Sequence, residues 1–68
     1  MRTVNYNGNM YDFDLLVSYM DDDIREAVYN DAMREDYGEQ QFFDKYLERD
    51  GDFVKLFDYD IDPIRPED

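Results

Sequence analysis

The 68-residue chain has no cysteine, no histidine and no tryptophan, and it holds only three glycines, two prolines, one serine and one threonine. Without cysteine, no disulfide or thiolate cluster can staple so small a fold. Without histidine as well, the nitrogen and sulfur ligands that zinc prefers are missing. Nucleophilic catalysis needs an activated hydroxyl, thiol or amine beside a base. Ser18 and Thr3 have no histidine to serve as that base, and Lys45 and Lys55 stand among acids rather than in an apolar setting that would activate an amine. The glycines stand alone, so no phosphate-cradling loop is present. No apolar run approaches the roughly 20 residues of a membrane span. The opening stretch MRTVNYNGNMYDF also lacks the apolar centre of a signal peptide. No enzyme activity, cofactor, membrane contact or metal centre is therefore expected, and the lack of cysteine is compatible with the cytoplasm.

What the chain has in excess is negative charge and aromatic rings. Nineteen acids face seven bases, a net charge of −12, and seven Tyr and five Phe make up 18% of the residues. Acid-rich disordered segments are poor in aromatics, so this composition predicts a folded domain. Large buried rings can stabilise a small core. Charge of this density opposes compaction, which makes solubility alone a poor explanation for it.

Local patterns outline a single α+β domain over residues 1–62, with 63–68 expected to fray. Residues 2–6 and 9–13 flank Asn7-Gly8, a strong two-residue hairpin signal because a type I′ turn needs positive φ at both positions. Val4 is expected to share a face with Tyr6, and Met10 to pair across the turn. Phe13, Leu16, Val17 and Met20 recur at helical spacing, with Asp12 or Asp14 as the cap. A second helix is expected over about 22–35, its inner face made of Ile24, Ala27, Val28 and Asp31 or Ala32. Asp23 and Glu26 have the spacing of a capping box, and Arg34 suits the last turn. Asp36-Tyr37-Gly38 breaks the pattern, and Phe42, Phe43, Tyr46 and Leu47 mark a third helix over about 39–49. The run FVKLF at 53–57 alternates as a strand does and predicts a third strand beside the hairpin, a fourth helix being the competing reading. The expected architecture is a small sheet packed on two or three short helices.

Fourteen of the nineteen acids are Asp, the shorter and stiffer of the two acidic side chains. Residues 12–36 hold nine acids and two bases, and residues 50–68 hold seven and two. Successive phosphates of a DNA strand are about 3.4 Å apart, and rows of Asp on short helices can imitate them. A protein so shaped is expected to dock on a basic, nucleic-acid-binding protein surface and not on nucleic acid itself. The candidate contacts are Asp21, Asp22, Asp23, Glu26, Asp31, Glu35 and Asp36, with Asp58, Tyr59, Asp60 and Asp62 as a second patch. Helix capping is the plainer explanation for Asp21-Asp22-Asp23. Surplus tyrosines, among Tyr11, Tyr29, Tyr37 and Tyr59, are candidate anchors against arginine. Asp58-x-Asp60-x-Asp62 matches the first three ligand positions of a calcium loop, but Pro63 stands where that loop turns on glycine. A monomer is expected.

Tyr11-x-Phe13, Val17-x-x-Met20-Asp21-Asp22-x-Ile24-Arg25-Glu26 and Gln41-Phe42-Phe43-Asp44-x-Tyr46 together resemble short acidic proteins carried by bacterial phages and mobile elements. The resemblance spans about residues 1–50. Proteins of this kind include anti-CRISPR and antirestriction proteins. The resemblance implies inhibition of a host defence complex that targets nucleic acid, with a CRISPR effector favoured, by occupying its DNA-binding surface. Two alternatives stay open: a DNA mimic aimed at a restriction enzyme or another host DNA-binding protein, and an adaptor module anchored by its aromatics.

Overall fold

The computed structural model describes residues 2–65. The chain opens with a hairpin, β1 (Thr3–Tyr6) and β2 (Asn9–Asp12), and continues through α1 (Phe13–Tyr19), α2 (Asp22–Glu35) and α3 (Glu39–Arg49). A 3-10 turn over Gly51–Lys55 then runs straight into the short α4 (Leu56–Tyr59). Among the described residues the fold is α+β: a two-stranded antiparallel hairpin followed by four α-helices. No described helix is long and apolar enough to cross a membrane.

Each boundary has a local cause. Asn7 and Gly8 take φ of 53° and 84°, as a type I′ turn demands, and the resulting register sets Val4 opposite Tyr11 and Met10 opposite Asn5. The Asp12 carboxylate accepts from the Asp14 amide at 3.0 Å and caps α1. At α2 the cap is Asp21, whose Oδ1 accepts from the amides of Asp23 and Ile24 at 2.9 and 3.4 Å. This corrects the expected Asp23/Glu26 box. The capping residue must be extended, as Asp21 is (φ −64°, ψ 131°), whereas Asp23 already lies inside the first turn, where its own amide needs an acceptor. Asp36 ends α2 in the left-handed conformation, φ 59°, and Gln41 begins α3 by accepting from the Gly38 amide at 3.3 Å.

The third strand does not form, a second correction. As a strand, residues 53–57 would turn Phe53, Lys55 and Phe57 to one face and carry the lysine into the core. As consecutive helical turns they place Phe53 and Phe57 four residues apart on one side. Lys55 then stays exposed and pairs with Asp52. The Phe57 ring lies 5.0 Å from that of Tyr6, 4.5 Å from Tyr11, 6.1 Å from Phe43 and 5.9 Å from Phe53, distances at which rings attract beyond simple burial.

Leu16, Val28, Phe43 and Tyr46 form the fully buried centre together with Val4 and Ile61. Tyr46 is the one polar group drawn into it. Its hydroxyl accepts from the Asp21 amide at 2.8 Å and donates to Asp50 Oδ2 at 2.9 Å, joining the start of α2 to the end of α3. The carboxamide of Gln40, on α3, bonds both main-chain groups of Asn5 in β1: Oε1 accepts from its N–H at 2.7 Å and Nε2 donates to its C=O at 3.0 Å. Beyond α4 the chain returns to the hairpin. Ile61 is buried, and Ile64, inside the segment expected to fray, donates its amide to the Met10 carbonyl at 2.7 Å. Residues 66–68 of that segment lie outside the described residues.

Candidate partner-binding surface

Helix α2 is only shallowly seated. Val28 is its one fully buried residue, with Ile24 and Ala32 half-buried. A second face of the same helix is therefore left open. Asp22, Glu26, Tyr29 and Met33 recur at i, i+4, i+7 and i+11 and form one stripe along it. That stripe lines a groove of about 820 Å³ together with Phe13, Asp14 and Val17 of α1 and with the more buried Ala32 and Phe42. Asp36 and Glu39 stand at its far end. Acids thus occupy both ends, and an apolar middle carries Tyr29 and Met33, which are 55% and 69% exposed.

The two arginines that line the groove are engaged within the molecule. Arg2 pairs with Asp14 and lies 5.1 Å over the Phe13 ring. Arg25 pairs with Asp22 at 2.6 Å and donates to the Val17 carbonyl at 3.1 Å, tying α2 to α1. Glu26, Asp36 and Glu39 have no ion pair among the described residues. The same separation of acids holds elsewhere. Six of the seven bases are ion-paired among the described residues. No charged side chain of the described residues is buried, so the excess charge lies at the surface.

The sequence-predicted contacts separate into distinct settings. Asp21 spends its carboxylate on the α2 cap. Asp31 is half-buried between α2 and α3, held by Arg34 at 2.5 Å and Arg49 at 3.2 Å. Asp23 and Glu35 are exposed on α2 and outside the groove, while Asp22, Glu26 and Asp36 come together along it. Asp58 belongs to a smaller concavity of about 330 Å³ beside the hairpin, with Tyr6, Asn9, Tyr11 and Pro63. Tyr59 is 88% exposed, between the exposed Asp58 and Asp60, and Asp62 follows the buried Ile61. No group of three or more carboxylates among the described residues is arranged to hold a metal ion.

The aromatics also sort differently from expectation. Tyr11 is buried and Tyr37 half-buried, whereas Tyr29 and Tyr59 are exposed together with Tyr19, which is 44% exposed. Tyr11 is drawn inward because the hairpin register puts it opposite Val4 on the core face. Met33 and Glu39 were not among the predicted contacts. The Asp22–Glu26–Tyr29–Met33 spacing was the available signal, and it is masked because those residues are not all apolar.

The described residues thus form an acidic α+β domain with its surplus carboxylates outside and a groove of acids and exposed apolar groups along one helix. The family of anti-CRISPR protein AcrIC5 matches it over residues 4–50. The chain belongs to this family of anti-CRISPR proteins, and membership implies interaction with a CRISPR effector protein complex. The matched region holds the hairpin from its second residue, α1, α2 and α3, and every residue lining the groove except Arg2. Comparison with curated proteins and with solved structures gave no match.

Proposed function

We propose that the protein inhibits a CRISPR effector complex without catalysis, by binding a basic, nucleic-acid-binding surface of the complex as a DNA mimic and blocking entry of target DNA. One observation carries this reading: the fold uses its bases in internal pairs and leaves carboxylates unpaired on the surface, including Glu26, Asp36 and Glu39 along α2 and α3 and Asp58, Asp60 and Asp62 near the tail. Unpaired carboxylates on rigid elements supply the fixed anionic array that a phosphate-binding channel attracts. The inhibitor acts as a monomer in the bacterial cytoplasm, where effector complexes meet their targets.

The test is a target-DNA binding assay with a purified effector complex at two salt concentrations. Inhibition should weaken as ionic strength rises, since exposed charges are screened within about 8–10 Å at physiological salt. A variant with Asp58, Asp60, Asp62, Glu26 and Glu39 changed to their amides should keep its helical circular dichroism and lose inhibition. Normal inhibition by that folded variant would refute mimicry. Binding of the unaltered protein to the effector with target DNA still bound normally would refute it as well, because the proposed step is competition for DNA.

A further inference from the structure

The α1–α2 groove has a composition that phosphate imitation does not require. A pure mimic needs carboxylates facing outward, yet the middle of this surface is Tyr29 and Met33, both more than half exposed beside the more buried Phe42 and Ala32. Exposed apolar groups ringed by charge mark interaction sites. Their chemistry selects the occupant. A tyrosine face attracts a guanidinium more than an alkyl chain, a methionine adapts its shape to a neighbouring side chain, and a carboxylate takes a guanidinium through two parallel hydrogen bonds. Glu26 lies one turn from Tyr29 on the same stripe, and Asp36 and Glu39 wait at the other end.

We infer that this groove seats an arginine-bearing segment of the protein partner, with guanidinium groups held by Glu26 and by the Asp36–Glu39 end, and apolar side chains laid over Met33 and Val17. The groove's own arginines cannot supply that contact, because Arg2 and Arg25 are already committed to Asp14, Asp22 and the Val17 carbonyl. A second copy of the chain is a poor occupant, since each copy carries a net charge of −12. The size is suitable. Fourteen residues of α2 give a wall about 21 Å long, which accommodates roughly six extended residues. A volume near 820 Å³ falls within the ~300–1,000 Å³ typical of ligand pockets. The inference rests on the reading of the protein as a ligand of a basic partner. It differs in giving specificity to a groove with an apolar centre rather than to surface charge alone.

Two measurements on the full chain decide it. The first uses a ten-residue peptide of alternating arginine and leucine with blocked ends, beside the same peptide with neutral citrulline in place of arginine, followed by amide chemical shifts. Shifts confined to the groove, at Val17, Tyr29 and Met33, and absent with citrulline, support the inference. Shifts centred on residues 58–62 overturn it, as does self-association of the chain that involves the same groove residues. The second measures affinity for a purified effector complex. Tyr29→Ala with Met33→Ala alters only exposed side chains and introduces a strong helix former, so folding is retained, and affinity should fall by about tenfold or more, as for interface anchors. Met33→Lys, which adds charge without shortening the side chain, should weaken binding similarly. Affinity within twofold of the unaltered protein for both variants overturns the groove. If a variant with only Asp58, Asp60 and Asp62 changed to Asn, which leaves Glu26, Asp36 and Glu39 of the groove unaltered, loses inhibition in that case, mimicry survives without it. The reverse pattern leaves the groove standing and removes mimicry.

Discussion

Replacing Tyr46 with phenylalanine keeps the ring and its volume in the core and removes one oxygen, so it isolates the hydroxyl that joins α2 to α3. Two bonds are lost. The Asp21 amide loses its acceptor at 2.8 Å, and the Asp50 carboxylate loses its donor at 2.9 Å. A neutral hydrogen bond contributes about 1 kcal/mol net and one to a charged group about 1.5–3 kcal/mol. Asp21 and Asp50 both reach water, so the lower part of that range applies and the expected loss is about 2 kcal/mol. In a domain of this size that is a fall in Tm of roughly 8–16 °C, readable by thermal or urea unfolding followed in the far ultraviolet. The pH dependence gives an independent check. Burial, foremost, together with the hydrogen bond to Asp50, pushes the Tyr46 phenol up to about 12 from its ordinary 10.0, with the bond from the Asp21 amide opposing. A phenol whose folded pKa is raised stabilises the protein fully below the unfolded value and loses that contribution as pH climbs to the folded one. The stability gap between Tyr46 and its phenylalanine variant should therefore be constant up to about pH 10 and narrow between about 10 and 12. A gap under about 0.5 kcal/mol at pH 7 would show that the hydroxyl is replaceable by water and would refute the reasoning.

Three further outcomes are expected. Gln40→Ala should cost about 1–2 kcal/mol and speed hydrogen exchange at the Asn5 amide, which loses its acceptor; unchanged exchange there would refute the clamp. Ile61→Ala should cost about 2–5 kcal/mol in chemical unfolding, because the side chain is 1% exposed although it lies beyond the last long helix. Asp31→Asn should change stability by less than about 1 kcal/mol, its two arginines being half or more exposed, and should leave inhibition intact in the target-DNA assay, since Asp31 is spent internally.

Periodicity and turn chemistry were enough to place the hairpin, α1, α2 and α3, because each boundary is written in a few adjacent residues. Asn7-Gly8 accepts positive φ, Asp12 caps α1 and Asp36 closes α2, whereas the α2 cap lies at Asp21, two residues before the expected Asp23. Residues 53–57 were misread because five residues of alternating apolar character fit either period. The deciding fact was nonlocal, namely that Phe57 meets the rings of Tyr6, Tyr11 and Phe43 while Phe53 meets those of Tyr46 and Phe57. The candidate surface was legible as an excess of acid but not as a shape. A one-dimensional count gives Asp31 and Glu26 the same standing, yet the fold commits Asp31 to two arginines and leaves Glu26 without an ion pair among the described residues. The groove itself depends on how far α2 stands from α1, and spacing along one helix does not specify that.

The Gln40 carboxamide has a bearing on crowding. A two-stranded ribbon offers an unpaired rim on each side, and such rims recruit strands from neighbouring molecules. Here one rim meets a side chain that copies the donor and acceptor of a peptide group at Asn5, and the other meets the Ile64 amide at Met10. Strand-to-strand contact becomes a hazard wherever a chain with open rims is concentrated. Repulsion between acidic molecules weakens as salt rises, but a rim already bonded stays bonded, so this chain keeps a guard against polymerisation under the conditions in which its charge protects it least.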